Sequence, residues 1–152
     1  MADRLTIRPA VLGDAPNLAR LSGILGYPVD DETFAQRLGR LISRNDNIVL
    51  VAEVTPGHAV GWLHGAEQET LESGRRCEIL GLVVDAAHRG QGVGRRLVAA
   101  VEEWAATRGL EQMAVRSNVV RTESHSFYER LGYVRAKTQH AYRKDLAAPG
   151  AG

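Results

Sequence analysis

Three glycines, Gly90, Gly92 and Gly94, stand within five positions of the segment HRGQGVGRRL. An apolar run, CEILGLVV (77–84), comes shortly before them, and an amphipathic run, LVAAVEEWAATRG (97–109), follows. The apolar run predicts a buried strand, and the second pattern predicts a helix that stops at its final glycine. The sequence therefore predicts a strand–turn–helix unit, with an unusually permissive backbone at the turn.

The start of that helix suits a bound anion. The first four amides of a helix have no intrahelical acceptor, and its N-terminus carries partial positive charge. Glycine adopts positive φ at no steric cost and lets another molecule approach the backbone closely. Three glycines beside Arg89, Arg95 and Arg96 favour a phosphate ligand over a tight connection without one.

The remaining patterns predict a mixed sheet. Further strands are predicted over 5–8, 47–54, 59–69 and 110–117, with one or two closing strands in 133–146. Helices are predicted from an Asp14 N-cap to about residue 25, from Asp30 to Ile42 with Phe34, Leu38, Leu41 and Ile42 buried, from about 92 to 108, and over 122–131. This order predicts an α/β (α+β) fold with helices on both faces of a mixed, mostly antiparallel central sheet.

Composition excludes several classes of protein. A chain of 152 residues predicts a single domain, here 1–146, and AAPGAG predicts a disordered tail over 147–152. A net charge of +1 with dispersed basic residues gives no case for nucleic acid. The sequence has no membrane-length apolar run and no signal pattern, so we expect a cytoplasmic protein without a membrane partner. The sequence has one cysteine, Cys77, and no histidines at zinc-ligand spacing, so no metal is expected.

Two common phosphate motifs do not fit the glycine turn. The P-loop needs a Lys-Ser/Thr pair, and the Rossmann pattern needs a glycine at position 95. Arg89-x-x-Gly92-x-Gly94 does resemble the Q/R-x-x-G-x-G/A segment of the GNAT superfamily of acetyl-CoA-dependent N-acyltransferases. SFYERLGY (126–133) resembles the second signature of that superfamily, and LTIRPAVLGDAPNLARL resembles its opening. The likeness covers nearly the whole chain.

The resemblance implies a fold and an activity. The implied sheet is splayed open between its fourth and fifth strands, as in the acyl-CoA N-acyltransferase fold. The implied reaction moves the acetyl group of acetyl-CoA to a primary amine of a small molecule by direct attack in a ternary complex. Acetylation of a protein N-terminus or lysine, and a non-catalytic acyl-CoA sensor, remain open as alternatives. Similar proteins are commonly dimers, so a homodimer is open as well.

The resemblance also implies which residues bind the cofactor. The backbone of Leu82, Val83 and Val84 would pair with the pantetheine arm, and Gly81 is compatible with a bulge that opens the gap or with packing beside a helix. The segment implied for the pyrophosphate comprises Arg89, Gly90, Gln91, Gly92, Val93, Gly94 and Arg95. The family places an asparagine seven residues before its tyrosine. Here Asn118 comes ten before the tyrosine, so Asn118 and Ser124 are both candidates for cofactor contacts.

Acetylation of an amine by a thioester requires a neutral amine, a donor for the oxyanion and a proton for the departing thiolate. The resemblance implies Tyr128 as the proton donor to the sulfur. The base is open between Glu78, a carboxylate in an apolar strand, and His125, three residues before Tyr128 on one helix face. Either can instead be a surface residue. Glu67 and Glu69 are either contacts for a cationic substrate or solvated carboxylates.

Overall fold

A computed structural model describes residues 4–24, 26–116 and 122–147, with side chains of 122–125 outside the description. The chain divides into two compact units, one ending at Arg116 and one beginning at Ser117. The first unit contains the whole described sheet and three of the helices. No helix among the residues that the structure describes is long and apolar enough to cross a membrane.

The sheet has five strands in the order β1-β2-β3-β4-β5. The strands are β1 (Thr6–Pro9), β2 (Asn47–Thr55), β3 (His58–Thr70), β4 (Gly74–Val84) and β5 (Met113–Val115). Neighbouring strands pair antiparallel except β4 and β5, which are parallel. The prediction of a mixed, mostly antiparallel sheet is thus confirmed, although β5 is shorter than predicted.

Helices cover both faces of this sheet, as predicted. On one face, α1 (Ala15–Ile24) and α2 (Asp31–Ile42) bury Leu18, Leu21 and Leu38 in a core with Val49 and Val51 of β2. On the other face lies α3 (Val93–Thr107), which packs so closely that Gly61 and Gly65 of β3 leave no room for a side chain. A Cβ at Gly65 would lie 2.8 Å from Val101 of α3.

The fourth strand is paired on both edges only over its first part. Cys77, Glu78 and Ile79 pair with Met113–Val115 of β5, whereas the whole strand from Gly74 to Val84 pairs with β3. The β3–β4 register shifts between the pairs His64–Gly81 and Gly65–Ile79, which leaves Leu80 as an extra, bulged residue. The sheet therefore opens after Ile79 on its β5 side, as the predicted splay requires.

The bulge falls at Leu80 rather than at Gly81, which the sequence singled out. Gly81 follows the bulge, and a Cβ there would lie 2.9 Å from the indole of Trp62. Gly81 therefore borders the bulge without forming it, and its close packing is against a ring of the neighbouring strand and not against a helix.

Asp14 lies directly before α1, where an N-cap was predicted, but its side chain does not cap that helix. Its carboxylate accepts two hydrogen bonds from the Arg8 guanidinium, at 2.7 and 2.9 Å, and one from the Val11 amide. Arg8 also donates to both oxygens of Glu53, so it bridges two carboxylates. The capping prediction is wrong because the charged guanidinium of Arg8 is a stronger partner than a helix amide.

Both ends of α2 agree with prediction, and the predicted burial of its last residue, Ile42, does not. The Asp30 carboxylate caps α2 by accepting from both the amide and the hydroxyl of Thr33, at 2.8 Å each. Leu38 is buried, and Phe34 and Leu41 are half-buried, whereas Ile42 is 37% exposed. Ile42 is the last residue of α2, so no further helical turn covers it.

The second unit contains α4 (Thr122–Arg130), and the turn that follows this helix contains Gly132 with φ +92. Residues 133–147 form no strand, so the prediction of closing strands there is wrong. Val134, Tyr142 and Leu146 are each nearly 90% exposed. A strand exists only through pairing, and no described strand pairs with this segment.

Candidate active site

The glycine turn links β4 to α3. Asp85 accepts a hydrogen bond from the Ala87 amide at the start of a short 3-10 turn (Ala86–His88), and Arg89 is extended. Gly90 and Gly92 then take positive φ, +79 and +81. A Cβ at Gly90 would meet nothing within 4 Å, and one at Gly92 only the Arg95 guanidinium at 3.9 Å. These glycines are needed for the backbone conformation and not for packing.

The amides at this turn lack partners. The amide of Arg96 donates to the Gly92 carbonyl, and that is the first backbone hydrogen bond of α3. The amides of residues 90–95 donate to no acceptor among the residues that the structure describes. No side chain caps α3, and its first turn holds no acidic residue. The turn is therefore a set of free donors at the positive end of a helix, which is the arrangement that binds phosphate.

None of the three arginines beside the turn is paired with a carboxylate among the described residues. Arg96 donates to the backbone carbonyl of Leu5 at 2.8 Å, so its guanidinium is tied to the start of the first unit. The side chains of Arg89 and Arg95 are exposed and form no ion pair with any described residue. Arg89 and Arg95 therefore place positive charge at the turn that no described carboxylate neutralises.

The open edge of β4 leads directly into this turn. The Asp85 amide donates to Val60 of β3, and hydrogen-bonding direction alternates along an antiparallel strand. Val83 therefore points its backbone groups at β3, whereas Leu82 and Val84 point theirs at the open edge. No described residue pairs with that edge. Of the three residues predicted to bind pantetheine, Leu82 and Val84 present free backbone groups.

Glu78 is buried, with 7% of its surface exposed, and lies on the β4 segment that is paired on both edges. Its carboxylate lies 3.7 Å from the Arg76 guanidinium and 4.0 Å from that of Arg116. Arg76 and Glu78 are two residues apart on β4, so their side chains lie on the same sheet face, the one that α1 and α2 cover. Ala114 is opposite Glu78 and Arg116 follows Ala114 by two residues, so the Arg116 side chain lies on this face as well. The predicted base is thus a carboxylate held between two cations.

Tyr128 belongs to the second unit. Its ring packs edge-on against Phe127 and Tyr133, with centroids 5.0 and 5.7 Å away. Its carbonyl accepts from the amides of Leu131 and Tyr133, so the end of α4 is tightly closed around it. Burial raises the pKa of the Tyr128 hydroxyl, which keeps it protonated as a proton donor must be.

Three predicted site residues cannot be placed by their side chains. Asn118 lies outside the described residues, and Ser124 and His125 fall in α4 where only the backbone is described. Within the described part of the chain, no group of three or more His, Cys, Asp or Glu side chains is arranged to hold a metal.

Glu67 is not available to a cationic substrate. Arg75 donates to one of its oxygens at 2.9 Å and Arg108 to the other at 3.0 Å, and these bonds lower the pKa of the Glu67 carboxyl. Arg108 also stacks over Trp104, 4.7 Å from the ring centroid. Glu67 therefore joins the end of α3 to the β3–β4 hairpin.

No sequence pattern indicated the polar group that lies beside the bulge. His64 of β3 is opposite Gly81 and its Nε2 lies 2.8 Å from Oδ1 of Asn47 in β2. Burial lowers the pKa of His64. The β2–β3 register shifts at two places between Asn47 and the hairpin turn. Counting residues back from the turn therefore does not predict that Asn47 and His64 are neighbours.

A model of the acetyltransferase (GNAT) family matches residues 18–133, which is most of the chain. The chain belongs to the GNAT family. It is an acyltransferase, and the open sheet with the glycine turn at the start of α3 is the acyl-CoA N-acyltransferase fold. The family uses acetyl-CoA, and the match runs through both units.

Curated relatives span the whole chain. It is 26% identical to aminoglycoside N(6')-acetyltransferase type 1 of Stenotrophomonas maltophilia, covering 96% of this chain and 97% of that protein. It is 33% identical to glucosamine 6-phosphate N-acetyltransferase 1 of Oryza sativa subsp. japonica, covering 88% and 83%. A solved transcriptional regulator from Bacillus halodurans C-125 superposes with a TM-score of 0.83 at 25% identity, covering 92% of this chain and 99% of that one.

Proposed function

We propose that this GNAT protein transfers the acetyl group of acetyl-CoA to a primary amine of a small molecule, by direct attack in a ternary complex. One observation supports this most strongly. The free amides of residues 90–95 continue directly from the free strand edge at Leu82 and Val84. A diphosphate needs the former, and an extended arm carrying amide groups needs the latter.

The residues present fit coenzyme A. Segment 89–95 would hold the pyrophosphate through its amides, with Arg89 and Arg95 adding charge. The backbone of Leu82 and Val84 would pair with the pantetheine arm, and Val83 between them would maintain the β3 pairing. Asn118 and Ser124 are proposed as further contacts. When bound, the cofactor supplies an acetyl group activated as a thioester.

Proton transfer is assigned to side chains of this chain. Tyr128, protonated and packed between two aromatic rings, would give its proton to the departing sulfur. Glu78 and His125 are the sequence-based candidates for the base that accepts a proton from the amine. The carboxylate of Glu78 lies between the guanidinium groups of Arg76 and Arg116, at 3.7 and 4.0 Å.

Two relatives support a small-molecule amine as the acceptor. Both relatives are named for small-molecule amines, aminoglycosides in one and glucosamine 6-phosphate in the other. We extend that class, and no particular amine, to this chain. The family match from 18 to 133 also supports one functional domain over 1–146.

A thiol-release assay tests the proposal. Acetyl-CoA is supplied with a panel of aminoglycosides, amino sugars, polyamines, amino acids and peptides, and free coenzyme A is measured. Transfer to at least one small amine is expected. Transfer only to peptides would favour a protein acetyltransferase, and binding of acetyl-CoA without any transfer would favour a sensor.

Tyr128→Phe tests the proton donor. The variant should lose about 100-fold in kcat, because the thiolate then leaves unprotonated, while the Kd for acetyl-CoA stays within about twofold. Tyr142→Phe is the matched control, since Tyr142 is 89% exposed. Normal turnover by Tyr128→Phe would refute the assignment.

A further inference from the structure

His64 lies next to the point where β4 opens. It is opposite Gly81, the first residue after the bulge at Leu80. Residues 62 and 64 of β3 point to the same face, and Trp62 packs edge-on against Phe34 of α2, so His64 also faces the α1–α2 side. The Trp62 indole lies over Gly81. His64 and Trp62 therefore border the sheet surface over the bulge.

A relay of hydrogen bonds fixes the tautomer of His64. The Asp46 carboxylate only accepts, so the Asn47 side-chain nitrogen donates to it at 2.8 Å. This leaves the Asn47 oxygen turned towards His64, 2.8 Å from Nε2. An amide oxygen also only accepts, so Nε2 carries the hydrogen. In a neutral imidazole the lone pair is then on Nδ1, which has no hydrogen-bond partner among the described residues.

We propose that His64 is the catalytic base, and that its Nδ1 takes the proton from the acceptor ammonium. This inference rests on the proposed N-acetyltransferase function and names a base outside the two that the sequence offered. Glu78 is a diagonal neighbour on the same face, since it pairs with Ala66 two residues along β3. Glu78 is already paired with Arg76 and Arg116, so we place the proton acceptor at His64.

The step balances as a proton transfer followed by acyl transfer. One proton moves from the ammonium nitrogen to Nδ1, which frees the lone pair of the amine. That lone pair forms the new N–C bond to the acetyl carbon, and the C–S bond breaks. The sulfur takes the proton of the Tyr128 hydroxyl, the second amine proton goes to solvent, and solvent exchange restores both side chains.

His64 is available as a base at neutral pH. Burial lowers its pKa below the ordinary value, so the imidazole is neutral there. The charged groups near it on its face are Arg76 and Glu78 of β4 and Arg116 beyond β5, with Asp46 reached through Asn47. Arg8 of β1 and Glu53 of β2 share this face and are paired with each other. The charged residues of α1 and α2 point to solvent: Arg20, Asp31, Glu32, Arg37 and Arg40 are all exposed.

His64→Gln is the decisive variant, assayed on an amine that the wild type acetylates. At pH 7, kcat/KM should fall about 100-fold. As the pH is raised, kcat/KM of the variant should rise about tenfold per pH unit and approach the wild-type value near the pKa of the amine. The amine then loses its proton in solution and needs no base on the protein. A residue that only supports the fold would lower kcat/KM by one factor at every pH. His58→Gln is the control, since His58 is exposed at the start of the same strand.

Asn47→Asp provides a second test that leaves the imidazole in place. A carboxylate at this position favours the imidazolium and should move the acidic limb of kcat/KM upward by about one pH unit. Melting temperature and coenzyme A affinity, measured for each variant, verify that the fold and cofactor site persist.

The outcomes separate the two proposals. If the wild type transfers acetyl groups and His64→Gln runs parallel to it at every pH, the base is not His64 and the enzyme function stands. If Glu78→Gln and not His64→Gln shows rescue at high pH, Glu78 is the base. If the wild type acetylates no amine in the panel, the proposed function itself fails.

Discussion

Two helices of the first unit begin in opposite ways. At α2, the Asp30 carboxylate accepts from Thr33, and Asp31 and Glu32 place negative charge in the first turn. At α3, the position before the helix is Gly92 at φ +81, no side chain caps the amides and the first turn has no acid. The first helix start is satisfied within the chain, and the second leaves its donors free.

The difference distinguishes a structural helix start from a binding one. Capping by Asp30 stabilises α2 and removes its amides from any ligand. The bare start of α3 forgoes that stabilisation, and an external anion regains it on binding. Substitutions can therefore alter the free amides at the start of α3 or remove the cap at the start of α2. The first should change the affinity for acetyl-CoA, and the second should change the melting temperature.

Gly92→Val should have the largest effect. A β-branched residue strains a backbone at φ +81, so the turn must rearrange and its amides no longer converge. We expect the Kd of acetyl-CoA to rise about 30-fold or more in calorimetry. Gly74→Val is the matched control, because Gly74 has φ +70, open space around it and a place at the far hairpin. Equal losses of affinity in both variants would refute a specific role for the turn.

Gly92→Asp and Gly92→Asn form a pair that isolates charge. Both residues tolerate the left-handed conformation, and only aspartate adds a negative charge beside the free amides. Acetyl-CoA should bind the aspartate variant about tenfold more weakly than the asparagine variant. Raising the salt concentration should narrow this gap. Equal affinities would show that the diphosphate does not lie at the α3 start.

Asp30→Ala should have the smallest effect, and on a different quantity. Loss of the cap should lower the melting temperature by roughly a few degrees without changing the Kd for acetyl-CoA. A change in acetyl-CoA affinity similar to that of Gly92→Val would erase the distinction between the two helix starts.

The contribution of Asp30 also depends on pH. Its bonds to Thr33 lower the pKa of the Asp30 carboxyl below its ordinary value. The stabilisation is therefore complete above the unfolded-state pKa, about 3.9, and is lost as the pH falls through the lower folded-state pKa. The melting-temperature difference between wild type and Asp30→Ala should be constant from pH 5 to 7 and shrink in stronger acid.

Local signals predicted much of this molecule. The glycine turn, α3, the β2–β3 hairpin and the Asp30 cap each follow from residues close together in the chain. The distant partners of Arg8 and His64 did not follow, because Glu53 and Asn47 lie 45 and 17 residues away. The closing strands over 133–146 were expected from local pattern alone, and a strand also needs a neighbour.

The sequence by itself determined where the backbone must take positive φ and which helix start remains uncapped, because both depend on the residue at one position and its near neighbours. Only the tertiary structure decided that the bulge falls at Leu80, that Glu78 lies between two arginines and that Nδ1 of His64 has no hydrogen-bond partner among the described residues. Those properties depend on strand register and on burial, which arise when distant segments pair and exclude water.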